Sequence, residues 1–384
     1  MEIVFARQPR PATITRSVFL AGPSPRNGEG ENWRLEALHW LKEQGFTGTV
    51  FVPLDEDGQF REEHWGDQVE WERDMLDTAD AVVFWVPRAQ KLPGLTTNVE
   101  FGSLMDSGRV FYGRPDDAIS TRYLDAMAAR YGVDVHNELE PLLAAAVGEL
   151  GEGEARTGGE RDVPLLIWHM PAFQAWYKAQ RAVYNELRRA RLLWNFRPRF
   201  GRPPVVRFAL HVHVYVHDED REKTNEFVFG RPDISVVVPY YKDDAGDVYV
   251  PLVREFRSPA RNSECFVYEP PGGSGAGTCE ALAASEFKEE TGVEVSPKQL
   301  LYMGQKQVAA TLSPYQAYLY RLQLTKEQFA ALMSIAESGE AHGVEEDTER
   351  TYVEIFTYEG VFTNQVVDWA SAGMVATALQ EIAR

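Results

Sequence analysis

Three glutamates, Glu286, Glu289 and Glu290, stand at i, i+3 and i+4 in the stretch EFKEETGV. On a helix that spacing puts them on one face. Like charges so close repel, and a divalent cation is the natural counter-charge, because Mg²⁺ takes carboxylate and phosphate oxygens together. The alternative is an acidic helix face turned to water. A second carboxylate, Glu100 in LTTNVEFGS, falls near the start of a predicted helix, behind Thr96, Thr97 and Asn98. There it is close to a helix N-terminus and to strand ends where ligands sit; alternatively Thr97 or Asn98 caps the helix and Glu100 completes the cap. FLAGPSPR follows a strand with a loop of small residues, and Gly22 lets backbone approach a ligand. His211 and His213 of HVHVYVH share a strand face, near enough to chelate. With no carboxylate patterned beside them except Asp218, solvent-facing histidines are the preferred reading.

The elements that must position these groups follow from periodicity. SVFLA reads as a strand, WRLEALHWLKEQG as an amphipathic helix stopped at Gly45, and TVFVPL as a second strand. DQVEWERDMLDTA is a second helix, and AVVFWVP is apolar throughout, as a strand buried on both faces must be. A helix from TNVEFGSLMDSG and the strand RVFYG follow. This alternation implies a parallel α/β sheet over residues 1–150. The Gly- and Glu-rich residues 151–162 read as a linker. Beyond them the texture is β-rich, with a hairpin signal at KDDAGD and one prominent helix, the one carrying the three glutamates. The expectation there is an α+β domain over 163–384.

A length of 384 residues suits two domains. Asp and Glu outnumber Lys and Arg by 58 to 39, a formal charge of −19, which argues against a partner that presents a phosphate backbone. Phosphates would have to be handled by local arginines or by metal ions. Two cysteines, Cys265 and Cys279, are too few for a disulfide framework or a thiolate zinc site. The N-terminal residues lack the pattern of a secretory signal, and no apolar run approaches the ~20 residues that span a bilayer. The expectation is a cytoplasmic protein with no membrane and no nucleic-acid partner.

EFKEETGV resembles the second half of the Nudix signature, and its flanks resemble the ADP-ribose pyrophosphatase branch of that family. VPLVREFRSPARN is similar to the branch's strand and arginine loop, FVYEPPGG to the approach to the signature, and GVEEDTERTYVEIFTYE to its late acidic loop. The resemblance implies an α/β/α Nudix fold and Mg²⁺ or Mn²⁺ held by Glu286, Glu289 and Glu290. It implies a base from Glu345 or Glu346, and Mg-dependent hydrolysis of an ADP-ribose-like diphosphate. Arg254 and Arg257 are candidates for gripping phosphate oxygens, the alternative being surface ion pairs. Two departures stand out: Ser285 replaces the family's arginine, and Gly277 or Thr278 stands where a glutamate is usual. The arginine orients a glutamate through charge-assisted bonds, so its loss keeps open a second reading, a domain that senses nucleotide without turning it over.

FLAGPSPR, NWRLEAL, GTVFVP, QVEWERDMLDTADAVVFWVP and GLTTNVEFG, in that order, resemble the nucleoside 2-deoxyribosyltransferase-like family over about residues 15–115. The resemblance implies a Rossmann-like parallel sheet in which Glu100 attacks the anomeric carbon of a nucleoside. A carboxylate then holds the sugar as an ester until a second nucleophile takes it. Another base as acceptor makes a transferase; water makes a hydrolase. Asp80 stands where family members place an acid, the alternative being a helix-to-strand turn residue. Trp71 and Glu72 are candidates to face the base or sugar, Asn98 belongs to the loop behind Glu100, and Arg26 and Arg34 are candidates for a phosphate. Both resemblances imply nucleoside or nucleotide substrates and a homodimer or higher homo-oligomer. The fusion suggests work in series on NAD: cleavage of its nicotinamide bond gives ADP-ribose.

Overall fold

The apolar runs SVFLA, TVFV and AVVFW become the inner strands of a parallel sheet in the computed structural model, which describes residues 1–25, 32–57, 65–197, 206–343 and 349–383. Along the chain come β1 (Glu2–Phe5), β2 (Thr13–Ile14), β3 (Ser17–Ala21), α1 (Trp33–Glu43), β4 (Thr49–Val52) and α2 (Trp65–Thr78). Then come β5 (Ala81–Trp85), α3 (Leu95–Leu104), β6 (Val110–Gly113), α4 (Arg122–Tyr131), β7 (Val135–His136) and α5 (Leu139–Leu150). The sheet order is β1-β4-β3-β5-β6-β7, all pairings parallel. Every residue of β3, β4, β5 and β6 is buried, because helices cover both faces. Val18, Leu20 and Val83 pack with Ala37, Leu41 and Leu142 on one side. Phe19, Val82 and Phe84 pack with Met75, Phe101 and Leu124 on the other. The strand order runs from β3 to β4 on one side and to β5 on the other. The carboxyl ends at such a switch point are where open α/β sheets bind ligands.

Residues 151–162 form no bare linker. β8 (Arg156–Thr157) pairs antiparallel with β2, and a 3₁₀ turn follows at Gly158–Asp162. After α6 (Leu165–Trp168) and α7 (Pro171–Ala182), the strands β9 (Glu186–Phe196), β10 (Arg207–Val216) and β11 (Arg221–Gly230) make an antiparallel sheet in the order β11-β10-β9. Trp168, Phe173, Phe208, Leu210 and Val212 join the same core as Val18 and Leu20. The chain accordingly divides into Met1–Gly230 and Arg231–Arg384, and residues 163–230, expected with the second domain, belong to the first unit. The Gly- and Glu-rich texture misleads here because the segment is fixed by one buried side chain, Arg156, with a partner far off in sequence.

In the second unit come β12 (Ile234–Lys242), β13 (Val248–Phe256), β14 (Phe266–Glu269), β15 (Gly272–Gly273), α8 (Cys279–Thr291), β16 (Leu300–Gln307) and β17 (Gln316–Gln323). They are followed by α9 (Lys326–Ser338), β18 (Ala341–His342), β19 (Thr351–Thr357), α10 (Tyr358–Thr363) and α11 (Trp369–Leu379). The mixed sheet runs β16-β17-β12-β13-β19-β18, with β12 and β17 parallel. Alternation along β12 sends Val236, Val238 and Tyr240 to one face with Val375 and Leu379 of α11. It sends Val237 to the other, with Ala283 and Phe287 of α8 and Leu332 of α9. The layering is helix, sheet, helix, so both units are α/β. Thr278 caps α8 by accepting from Ala281 N, and Gly292 ends it in the left-handed region at φ +72°. Among the described residues no helix is long and apolar enough to cross a membrane.

Candidate active sites

A cleft of about 200 Å³ opens at the carboxyl ends of β3 and β5, lined by Gly22, Arg34, Gln68, Glu72, Thr97 and Glu100 among others. Gly22 is required: its φ is +143°, and a Cβ there would collide with the Trp85 carbonyl at the end of β5. Gly94, at φ +56°, holds the N-cap position of α3 with no side-chain cap. A Cβ on it would strike Pro23. The cap expected from Thr97 or Asn98 is therefore not made. Thr97 is buried, and Asn98 accepts from Arg88 Nη2 at 2.6 Å and does not line the cleft.

Glu100 is thus an interior residue of α3 that reaches the cleft beside Glu72 of α2. Burial first, then the charge of Glu72, push the Glu100 carboxyl up to about 7, against a smaller pull from Arg34. Burial also raises Glu72, while a bond from Gln68 and the charge of Arg34 lower it. Gln68 Nε2 donates to Glu72 Oε1 at 2.8 Å and to the Pro53 carbonyl at 3.1 Å, which fixes the carboxylate's position. The charge of Glu72 thus makes Glu100 harder to ionise, and burial holds both carboxyls above their ordinary range. Arg34 is fully buried and pushed down to about 10 by that burial. It donates to Leu20 O at 2.9 Å, Gly22 O at 2.7 Å and Ser24 Oγ at 3.2 Å. It braces the loop after β3 with most of its donors while also lining the cleft. Trp71 lies in the core with its Nε1 on the Gln8 carbonyl at 2.9 Å. Arg26 lies outside the described residues.

Asp80, read as either an acid or a helix-to-strand turn residue, lies at the amino end of β5. Its Oδ1 accepts from Arg156 Nη1 and Leu165 N, both at 2.8 Å. Its Oδ2 accepts from Ser17 N at 2.8 Å and Ser17 Oγ at 2.9 Å. Its oxygens are spent on structure, and the length of β5, about 16 Å at ~3.3 Å per residue, separates it from the cleft. It anchors a helix-to-strand turn to the segment around Arg156.

In the second unit one carboxylate oxygen each from Glu255, Glu290 and Glu349 lies within 4.8 Å of the other two. Val250 and Leu252 of β13 face α11, so alternation turns Val253 and Glu255 the other way, beside Val353 on the α8 face. Gly272 N donates to Glu290 Oε2 at 3.1 Å, and a Cβ at Gly273 would strike the Glu286 carboxylate. Gly273 therefore leaves room for the Glu286 carboxylate, and the Gly272 N–H holds Glu290 to the sheet. Burial, then Glu289 and Glu349, push Glu286 up to about 7. Burial pushes Glu255 up to about 7 as well. Glu290 is driven well above the usual range by burial and then by Glu349, Glu269 and Glu286. It also sits in the last turn of α8, at the negative end of the helix dipole.

The three glutamates read from the sequence therefore part company. Glu290 joins Glu255 and Glu349, Glu286 borders them, and Glu289 is exposed and accepts from Ser285 Oγ at 2.6 Å. Arg257 donates to Glu269 Oε1 at 2.9 Å and lies 2.7 Å from Glu255 Oε2, so it serves carboxylates. The latter is a charge contact outside hydrogen-bond geometry, since Glu255 Oε2 has no hydrogen-bond partner among the described residues. Arg254 stacks between the rings of Phe266 at 4.4 Å and Tyr352 at 5.3 Å. Glu345 and Glu346 lie outside the described residues; Glu349, in the same acidic run, is the member the sequence reading missed. Glu255 was missed too, although its alternation with Val253 marks it as facing α8. An all-carboxylate donor set fits a hard cation such as Mg²⁺ or Mn²⁺. His211 Nε2 meets the Thr224 carbonyl at 2.9 Å, and His213 Nδ1 lies 3.4 Å from Glu222. Neither belongs to a metal-competent group among the described residues.

Residues 15–118 match the family model described as nucleoside 2-deoxyribosyltransferase like. That span contains the sheet centre, Glu72 and Glu100. Comparison with curated proteins gives no match. Among solved structures, a MutT/nudix family protein from Enterococcus faecalis is similar at 14% identity and TM-score 0.30, over 40% of this chain and 62% of its own. So distant a likeness, over less than two thirds of that protein, fixes neither the fold nor the activity of the second unit.

Proposed function

We propose, from the premise that residues 15–118 form a nucleoside 2-deoxyribosyltransferase-like domain, that the first unit breaks an N-glycosidic bond through Glu100. The observation that carries this is the meeting of Glu100 and Glu72 in one cleft, with Glu100 pushed up to about 7. In the reaction a Glu100 oxygen attacks the anomeric carbon as the bond to the base nitrogen breaks. Glu100 must give up its proton to attack; Glu72, held by Gln68, takes that proton and passes it to the leaving nitrogen. A second base or water then attacks the same carbon and frees Glu100, and the acceptor's proton passes to Glu72. The charge of Arg34 favours the ionised nucleophile. A screen of nucleosides, nucleotides and NAD read by mass tests this: the reading requires base release by the wild type and none by Glu100→Ala.

The second unit, on the same proposal, takes an ADP-ribose-like diphosphate, with Mg²⁺ or Mn²⁺ held by Glu255, Glu290 and Glu349 and with Glu286 beside them. A bound divalent ion would neutralise these carboxylates and draw diphosphate oxygens to them. The protein's own part is to hold the carboxylates together through the Gly272–Gly273 backbone and to keep Arg257 among them. Incubation with ADP-ribose and Mg²⁺ separates turnover from sensing: AMP release supports hydrolysis, and saturable binding without AMP makes the unit a sensor. Series action on NAD requires that nicotinamide appear first and AMP after it. Loss of nicotinamide release in Glu100→Ala must then remove both products.

A further inference from the structure

A larger cavity of the first unit, about 380 Å³, is lined by the turn that follows Arg156 and shares no lining residue with the Glu100 cleft. It is walled by the turn from Thr157 to Asp162, by Tyr177 and Arg181 of α7, and by Glu186 to Arg189 of β9, with Arg10 opposite. Five arginines meet there in a chain of net charge −19. Three carboxylates share the wall and compensate only part of that charge. Asp162 takes Arg10 Nη2 at 2.7 Å, Glu186 takes Arg188 at 3.0 Å, and Glu160 stands 3.8 Å from Arg181. Arg161 spends its donors on neutral carbonyls, those of Gly158 and Pro11. Arg189 has no ion pair with another described residue, and the buried Nη1 of Arg10 has no hydrogen-bond partner among them. Arg10 and Arg161 are close enough for their like charges to be felt: Arg161 is lowered by burial and then by Arg10.

We propose that this cavity binds the phosphate or diphosphate group of a small anionic metabolite, at a site separate from the Glu100 cleft. Guanidinium groups present fixed pairs of N–H donors that match phosphate oxygens, and two or more converging on a polar cavity repel each other until an anion lies between them. The bound group would tie the Thr157–Asp162 turn to α7 and β9. The site stands independently of the proposed chemistry of either unit.

Calorimetric titration of the full chain with pyrophosphate, in EDTA so that no metal takes part, tests it. The wild type is expected to show saturable binding that weakens as salt is raised. Arg181→Glu combined with Arg189→Glu, both exposed positions, should weaken binding at least tenfold while the melting curve is kept. Arg10→Gln should do the same on its own. Absence of saturable binding in the wild type, or binding unchanged in both variants, overturns the proposal.

Discussion

In the first unit Glu100 and Glu72 sit beside a guanidinium, Arg34, that is already spent on loop oxygens. In the second, Glu255 shares Arg257 with Glu269, and Glu290 and Glu349 close the group. Both arrangements lift carboxyls, Glu100 and Glu255 to about 7 and Glu290 well above its ordinary range, but they leave different ways to relieve the repulsion. Two carboxylates beside a committed cation relieve it when one takes up a proton, and in the proposed reaction that proton goes to the leaving base. Three carboxylates within 4.8 Å of one another need more than one arginine, and a dication answers that where a single shared proton does not. The first site should therefore respond to pH and ignore metal, and the second should respond to both.

The largest expected effect breaks the first half of that comparison or confirms it. Glu100→Ala should lower glycosidic cleavage on the order of 10⁴-fold or more, equally with Mg²⁺ or with EDTA; a rate that falls in EDTA would mean that the first site needs an ion after all. Next comes Asp80→Asn. Removing one partner of a buried pair should cost about 3–5 kcal/mol of stability, read by urea unfolding, while the pH profile of the folded fraction keeps its shape. A shifted profile would return Asp80 to the chemistry.

Glu72→Gln sharpens the comparison further. Losing the proton donor should cost about 10²–10³-fold in kcat. With the neighbouring charge gone, Glu100 should ionise more easily, so the rising limb of the profile should move below pH 7. A limb that stays in place would deny the coupling.

The smallest effect concerns the second unit. Glu255, Glu286 and Glu290 are all raised from an ordinary 4.5, the first two to about 7. The folded state therefore keeps protons that the unfolded chain has lost, and metal-free stability should fall as pH rises from about 4.5 through about 7. Glu100 and Glu72 add a slope of the same sign, so the informative quantity is the gain in melting temperature on adding Mg²⁺. That gain should grow with pH over this window, vanish in Glu290→Gln and survive in Glu289→Gln.

What the sequence made legible was what neighbours in the chain decide. The buried strands, the stop at Gly292 and the place of Glu100 after β5 all follow from local pattern; at Gly22 local pattern called for a glycine, but the group that crowds it is the Trp85 carbonyl. Long-range pairs were hidden. Asp80 meets Arg156 across 76 residues, and no local signal separates an acid that anchors a turn from one that works on substrate. Glu289 shows a subtler limit. At ~100° per residue, Glu290 lies on the stripe of Ala283 and Phe287, which faces the sheet, while Glu289 lies about 100° off it. The i, i+3, i+4 spacing describes a face, and only the burial of Phe287 says which edge of that face turns inward. Glu255 and Glu349 come from a strand and a loop, and they join the helix only through the sheet order.

The account rests most directly on a sugar passing through an ester on Glu100. A 2-fluorinated nucleoside, which slows release of such an ester, followed by acid quench and peptide mass analysis, tests that step. The account predicts one glycosyl group on the peptide containing Glu100 and none in Glu100→Ala. Turnover with no adduct there, or an adduct on another residue, would contradict it.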